Sequence, residues 1–257
     1  AEPNVGGLNP EPIEKNLSGL MEAVVKEKAD IGLATDGDAD RIGAVDSNGK
    51  FINSHQIFGL LLQHNVAYRG GKGAIIHSVS TTQIIDKICA HYGLESIETP
   101  IGFKYISGEL IKRNALMGGE ESGGISLRDH VHERDGVLNG LLLLEMMAVK
   151  GMSLVELIND MDEEFGKYFF ERKDYKLTAE HMIDVKEKIA KEDLKELAGV
   201  PVARYNTIDG HKIILEDDSW IMVRASGTEP LLRVYSEAST QERVGELHGF
   251  MQKYLAL

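Results

Sequence analysis

The spacing of apolar residues changes along the chain, and each change marks a different kind of element. The pattern predicts a helix over Pro12 to Lys28, a buried strand over Ile31 to Thr35, and a second strand over Arg41 to Asp46. The second strand runs into Ser47-Asn48-Gly49-Lys50, and Asn-Gly between apolar runs signals a hairpin. One helix and a hairpin cannot enclose a core, so this segment reads as the second half of a domain whose first half is absent.

From Phe51 onward, helical and extended patterns alternate. Helices are expected over Ile57 to Val66, Thr81 to His91, Tyr105 to Lys112, Gly136 to Lys150 and Ser153 to Phe165. Strands are expected over Ala74 to His77, Leu94 to Glu98 and Ala115 to Gly118. That alternation predicts a doubly wound sheet with parallel strands. After a boundary near Gly166 to Asp174 the pattern changes again. A charged helix over Thr178 to Leu197 precedes short strands near Ala203 to Thr207, Lys212 to Leu215, Trp220 to Arg224 and Leu231 to Glu237. A last helix starts at the capping-box signature Ser239-Thr240-Gln241-Glu242, with Val244, Leu247, Met251, Tyr254 and Leu255 as its apolar stripe. The expected fold class is α/β, with doubly wound mixed-sheet domains followed by a smaller α+β C-terminal domain. The expected limits are residues 1–50, 51–168 and 169–257.

Three loops between these elements carry candidate chemistry. In Asp36-Gly37-Asp38-Ala39-Asp40-Arg41, alternate positions of an extended loop converge three carboxylates. Like charges that close need a cation, and hard oxygen ligands favour Mg²⁺ or Ca²⁺. An EF-hand is excluded, because Arg41 and Ser47 stand where that loop needs Gly and Glu. A second loop, Arg224-Ala225-Ser226-Gly227-Thr228-Glu229-Pro230, is flanked by strands and followed by Arg233. Its hydroxyls and guanidinium forks suit a dianionic phosphate, although spacing alone equally allows a hairpin loop with surface arginines. The third, Gly118-Gly119-Glu120-Glu121-Ser122-Gly123-Gly124, suits sugar hydroxyls but by itself does not outweigh a mobile glycine turn. His130 and His132 invite a zinc reading, which the lone Cys89 and the lack of an H-E-x-x-H motif argue against.

Composition narrows the classes further. A net charge of −13 argues against nucleic-acid or anionic-membrane binding but leaves room for a small anion held by focused arginines. No apolar run reaches the roughly 18 residues of a membrane span, since Glu145 interrupts the strongest candidate. The single cysteine excludes an internal disulfide and suits a reducing compartment, so a cytoplasmic location is expected.

Taken in order, the motifs resemble those of the phosphoglucomutase/phosphomannomutase family of α-D-phosphohexomutases. Asp36 to Arg41 looks like that family's magnesium loop, Gly119 to Gly123 its sugar loop, and Arg224 to Pro230 its phosphate loop. Thr99 to Lys104 is similar to its specificity segment, and Asn9-Pro10-Glu11-Pro12 also has a counterpart. The resemblance implies Mg²⁺ on Asp36, Asp38 and Asp40, and charge-handling roles for Arg41, Lys104 and Arg134. It implies sugar contacts at Gly102, Glu120 and Ser122, and phosphate contacts at Arg224, Ser226, Gly227, Thr228 and Arg233. It further implies a hexose phosphate substrate, glucose 1,6-bisphosphate as activator, and transfer of a phosphoryl group between the 1- and 6-positions through an enzyme phosphoserine. No segment resembling the family's Thr-Ala-Ser-His-Asn-Pro motif occurs in these residues. The nucleophile is therefore expected on a missing N-terminal domain, and the chain alone is expected to be inactive. Gly124 stands where some subgroups carry His, so no general acid/base is carried over to that position. A phosphoglucosamine mutase and a non-catalytic phosphosugar-binding module are the alternatives.

Overall fold

The structure, a computed structural model, describes Gly7, residues 9–226 and residues 231–257. The chain divides into two compact units, residues 1–166 and 167–257.

In the first unit, α1 (Ser18–Glu27) leads into an antiparallel meander of β1 (Ile31–Thr35), β2 (Ile42–Asp46) and β3 (Phe51–Ile52). The helix expected from Pro12 is shorter. Glu14–Asn16 form a separate 3₁₀ turn, and the Asn16 amide donates to the Glu11 carbonyl at 2.8 Å. β2 is buried throughout, as its unbroken apolar run requires.

Next come α2 (Ser54–Gln63), β4 (Ile75–Ser78), α3 (Ile84–Tyr92), β5 (Ser96–Thr99), α4 (Phe103–Arg113), β6 (Met117–Gly119) and β7 (Ile125–Leu127). They close with α5 (Gly136–Lys150) and α6 (Leu154–Phe165). The sheet order is β5-β4-β6-β7, with β4 parallel to both neighbours and β7 antiparallel, hence mixed. Gly118 and Gly119 on β6 show how it is layered. A Cβ on Gly118 would meet Ile106 of α4, and one on Gly119 would meet Phe58 of α2. The two helices therefore cover opposite faces, and Ile76 of β4 packs into the α4 cluster of Phe103, Ile106 and Leu110.

Sharp caps set several boundaries. Asn53 and Gln56 form a capping box at α2, and Ser153 and Glu156 another at α6. Cys89 is buried on α3, and burial pushes its thiol up to about 12, so it is an inert core residue.

The second unit is a six-stranded antiparallel sheet in the order β8-β13-β12-β11-β10-β9. Its strands are β8 (Phe169–Lys176), β9 (Glu196–Leu197), β10 (Val200–Asn206), β11 (His211–Leu215), β12 (Trp220–Ala225) and β13 (Leu231–Ala238). Helices α7 (Ala179–Ile189) and α8 (Gln241–Leu255) bury Met182, Val185, Val244, Leu247 and Met251 against Ile213, Ile221, Leu232 and Val234. The charged helix stops at Ile189, Glu192 turns left-handed three residues later, and Leu197 enters the core from β9. The cap of α8 is Thr240, which accepts from the Arg243 amide, one residue later than the sequence signature suggests. Among the described residues, no helix is long and apolar enough to cross a membrane.

Candidate metal and phosphosugar site

The first loop follows directly from the β1–β2 pairing. Thr35 opposes Ile42, so residues 36–41 must turn between them. Asp36 organises that turn. Its Oδ1 accepts from the backbone amides of Asp40 at 3.0 Å and Arg41 at 3.1 Å, and its Oδ2 from Arg41 Nε at 2.5 Å. Burial alone would raise this carboxyl's pKa, but the Arg41 backbone and side-chain bonds hold it below its usual value. Asp36, Asp38 and Asp40 each offer an oxygen within 4.8 Å of the others. Asp40 has its pKa raised by burial, opposed by Arg134 and reinforced by Asp36 and Asp38. An all-carboxylate set of this size suits a hard divalent cation. A cavity of about 570 Å³ opens there, lined by Asn9, Pro10, Glu11, Asp36, Gly37, Asp38 and Arg41.

The second loop joins β6 to β7 and leans on the first. The Ile42 amide donates to Gly123 O at 3.2 Å, and Arg41 bridges Gly124. The two glutamates diverge. Glu121 Oε2 accepts from Ser80 Oγ at 2.8 Å and Ser78 Oγ at 3.2 Å. Glu120 turns the other way, where its Oε1 accepts from the Gly102 amide at 3.0 Å and its Oε2 lies 3.9 Å from Arg134 Nη1. Burial, then the neighbouring Glu121 charge, push Glu120 up to about 7. Ser122 is half-buried on the same loop. Lys104 is exposed on the first turn of α4, and its Nζ stands 4.8 Å over the Tyr105 ring.

The raised Glu120 pKa has a sign. The folded pKa exceeds the unfolded one, so its stabilising contribution is present at low pH and is lost as pH rises through about 7. Glu120→Gln should remove that loss. Urea midpoints at pH 5 and pH 8 should show the variant gaining about 2 to 3 kcal/mol on wild type at the higher pH. An unchanged difference between the two pH values would contradict the buried-acid account.

In the second unit, Arg224 and Arg233 are register partners on β12 and β13, so their side chains share one face of the sheet. The Ser226 amide donates to Leu231 O at 2.8 Å, closing the strand pair at the loop. Arg224 Nε donates to Asp209 Oδ1 at 3.0 Å, and Arg233 Nε lies 3.9 Å from Asp174 Oδ2. A cavity of about 400 Å³ beside them is lined in part by Lys186, His211, Arg224 and Ser226. Gly227 and Thr228 lie outside the described residues.

Comparison with known proteins gives these loops a common context. Sequence models of phosphoglucomutase/phosphomannomutase match in order: alpha/beta/alpha domain II at residues 1–49, alpha/beta/alpha domain III at 53–165, and the C-terminal domain at 182–252. The chain belongs to the phosphoglucomutase/phosphomannomutase family. A phosphoglucomutase/phosphomannomutase from Thermococcus kodakarensis is 37% identical over 238 residues, covering 93% of this chain and 50% of the relative. A phosphoglucosamine mutase from Carboxydothermus hydrogenoformans is 34% identical, covering 97% of this chain and 52% of the relative. The crystal structure of a "putative phosphomannomutase" from Thermus thermophilus matches with a TM-score of 0.82 and 33% identity, over 98% of this chain and 52% of that one. The chain thus spans about half the length of these phosphohexomutases.

Within the chain's first unit, Asp36, Asp38, Asp40, Arg41, Gly102, Glu120 and Arg134 form one connected set. Glu11 lies 3.6 Å from Arg41 and Phe103 lies under Arg134, both within segments the motif reading picked out. Ser78 and Ser80, which anchor Glu121, escape it. Their local sequence carries no chemical signal, because each acts through a neighbour brought in by the fold.

Proposed function

We propose that this chain is the metal- and substrate-binding half of a Mg²⁺-dependent phosphohexomutase, acting on glucose or mannose phosphates. The observation that carries the reading is the joining, through Arg41 and Arg134, of a triple-carboxylate loop to the loop that bears the buried Glu120. In this reading Asp36, Asp38 and Asp40 hold Mg²⁺, which when bound supplies charge neutralisation for a transferring phosphoryl group. Arg41 and Arg134 add positive charge around it, and exposed Lys104 on the first turn of α4 is the third cation. Gly102, Glu120 and Ser122 meet sugar hydroxyls, and Glu120 accepts a hydrogen bond that orients the ring. In the second unit, Arg224, Ser226, Gly227, Thr228 and Arg233 hold the phosphate that does not move. We further assign the phosphate-carrying serine to a domain outside these residues, glucose 1,6-bisphosphate as activator, and a cytoplasmic location that suits a protein with the single cysteine Cys89. We place domain limits at residues 50 and 168.

A phosphoglucosamine mutase is the second reading, favoured by the 34% identity to such an enzyme. A coupled assay for glucose 1-phosphate to glucose 6-phosphate tests the proposal, with Mg²⁺ and catalytic glucose 1,6-bisphosphate. The chain alone should show no turnover while the full-length protein turns over. Turnover by the chain alone would contradict the assignment of the nucleophile, and a full-length enzyme converting glucosamine 1-phosphate faster would favour the second reading.

A further inference from the structure

Arg134 ties together three segments that lie far apart in sequence. Its Nη2 pairs with Asp40 Oδ2 on the first loop, and its Nη1 lies 3.9 Å from Glu120 Oε2 on the second. Its guanidinium stands 5.1 Å over the Phe103 ring at the start of α4. The aliphatic stem runs across Gly124, where an added Cβ would collide with Arg134 Cδ, so a larger residue there would displace it. The backbone is held on the C-terminal side too. The Asp135 amide donates to Ile125 O at 3.2 Å, and the Gly136 amide to Ala39 O at 2.9 Å. Where the guanidinium joins the stem, Arg134 Nε donates to Glu133 Oε1 at 3.4 Å.

We propose that Arg134 is a built-in cation that competes with the divalent metal for Asp40 and, when the metal takes that carboxylate, passes to Glu120. The proposal rests on the metal reading of Asp36, Asp38 and Asp40. A doubly charged ion and a guanidinium on one carboxylate repel, and at about 5 Å even water's dielectric makes that repulsion worth roughly tenfold in affinity. Glu120 is the alternative carboxylate on the second loop, 3.9 Å from Nη1, while Glu133 stays against Nε at 3.4 Å. With the stem lying across Gly124 and the guanidinium over the Phe103 ring, a turn about the terminal torsions takes the Nη groups from one carboxylate towards the other. Arg41 cannot play this part. Its Nε bonds the Asp36 oxygen at 2.5 Å, and that carboxylate also fixes the loop's backbone amides. Arg134 is thus a positioning residue, through which metal occupancy alters the setting of the sugar loop.

Calorimetric titration of Mg²⁺ into wild type, Arg134→Ala, Arg134→Gln and Arg134→Lys separates competition from bracing. Competition predicts that both neutral variants bind Mg²⁺ about tenfold more tightly, while Arg134→Lys stays close to wild type. In wild type, the NMR signal of the Arg134 Nε–H group should also shift on Mg²⁺ saturation. Neutral variants that fold by circular dichroism yet bind Mg²⁺ no more tightly than wild type would overturn the proposal, because a mere brace weakens the site when removed. Absence of Mg²⁺ binding by wild type would instead overturn the metal reading beneath it. Arg134→Gln keeps the test available should Arg134→Ala fail to fold.

Discussion

Gly136→Ala should lower the stability of the first unit by about 3 kcal/mol, the upper range for forcing atoms into a packed site. Gly136 opens α5 against the turn between β1 and β2, and an added Cβ would collide with Arg41 O and sit 3.0 Å from Ala39 O. Neither neighbour is the flexible end of a side chain, so the backbone itself must move. The Gly136 amide also donates to Ala39 O at 2.9 Å, so the displacement falls on the loop that carries Asp36, Asp38 and Asp40. Chemical denaturation would show the loss, and Mg²⁺ affinity should fall with it. A variant as stable as wild type would mean that α5 does not fix the loop.

The elements that sequence pattern locates well are those with strong periodicity or sharp caps. β1 spans Ile31–Thr35 and α5 spans Gly136–Lys150, as the apolar spacing and the flanking Asp135 cap and Gly151 imply. β8 is hidden because Phe169–Lys176 carries the unbroken charged run Glu171-Arg172-Lys173-Asp174 along the sheet's edge, where charge discourages further pairing. β7 is three residues long and follows a glycine run, too short for a period to register. The loop motifs announce carboxylates, hydroxyls and arginines, but not their convergence. The Arg41–Gly124 bridge and the Arg134–Asp40 pair depend on how β2, β6 and α5 meet, which no local pattern encodes. Nor does spacing reveal that Glu120 and Glu121 point apart, since that follows from Gly102 capturing one and Ser78 with Ser80 the other.

The largest expected effect on ligand binding belongs to Asp38→Ala. Asp36 spends its oxygens on the loop's own amides and on Arg41, and Asp40 is shared with Arg134, whereas Asp38 is the exposed member of the triplet. Its carboxylate is therefore the one free to meet an incoming ion without first breaking an internal bond. Removing one of three charged ligands should weaken a hard divalent cation by roughly a hundredfold or more, and leave stability nearly untouched because the side chain is exposed. Titration of Mg²⁺ into wild type and Asp38→Ala, with thermal melts of both, is the most direct test of the metal-dependent account. Saturable binding by wild type, lost in a variant that melts at the same temperature, is the result it predicts. Equal Mg²⁺ affinity in the two proteins would contradict it and favour a phosphosugar-binding module that uses no metal.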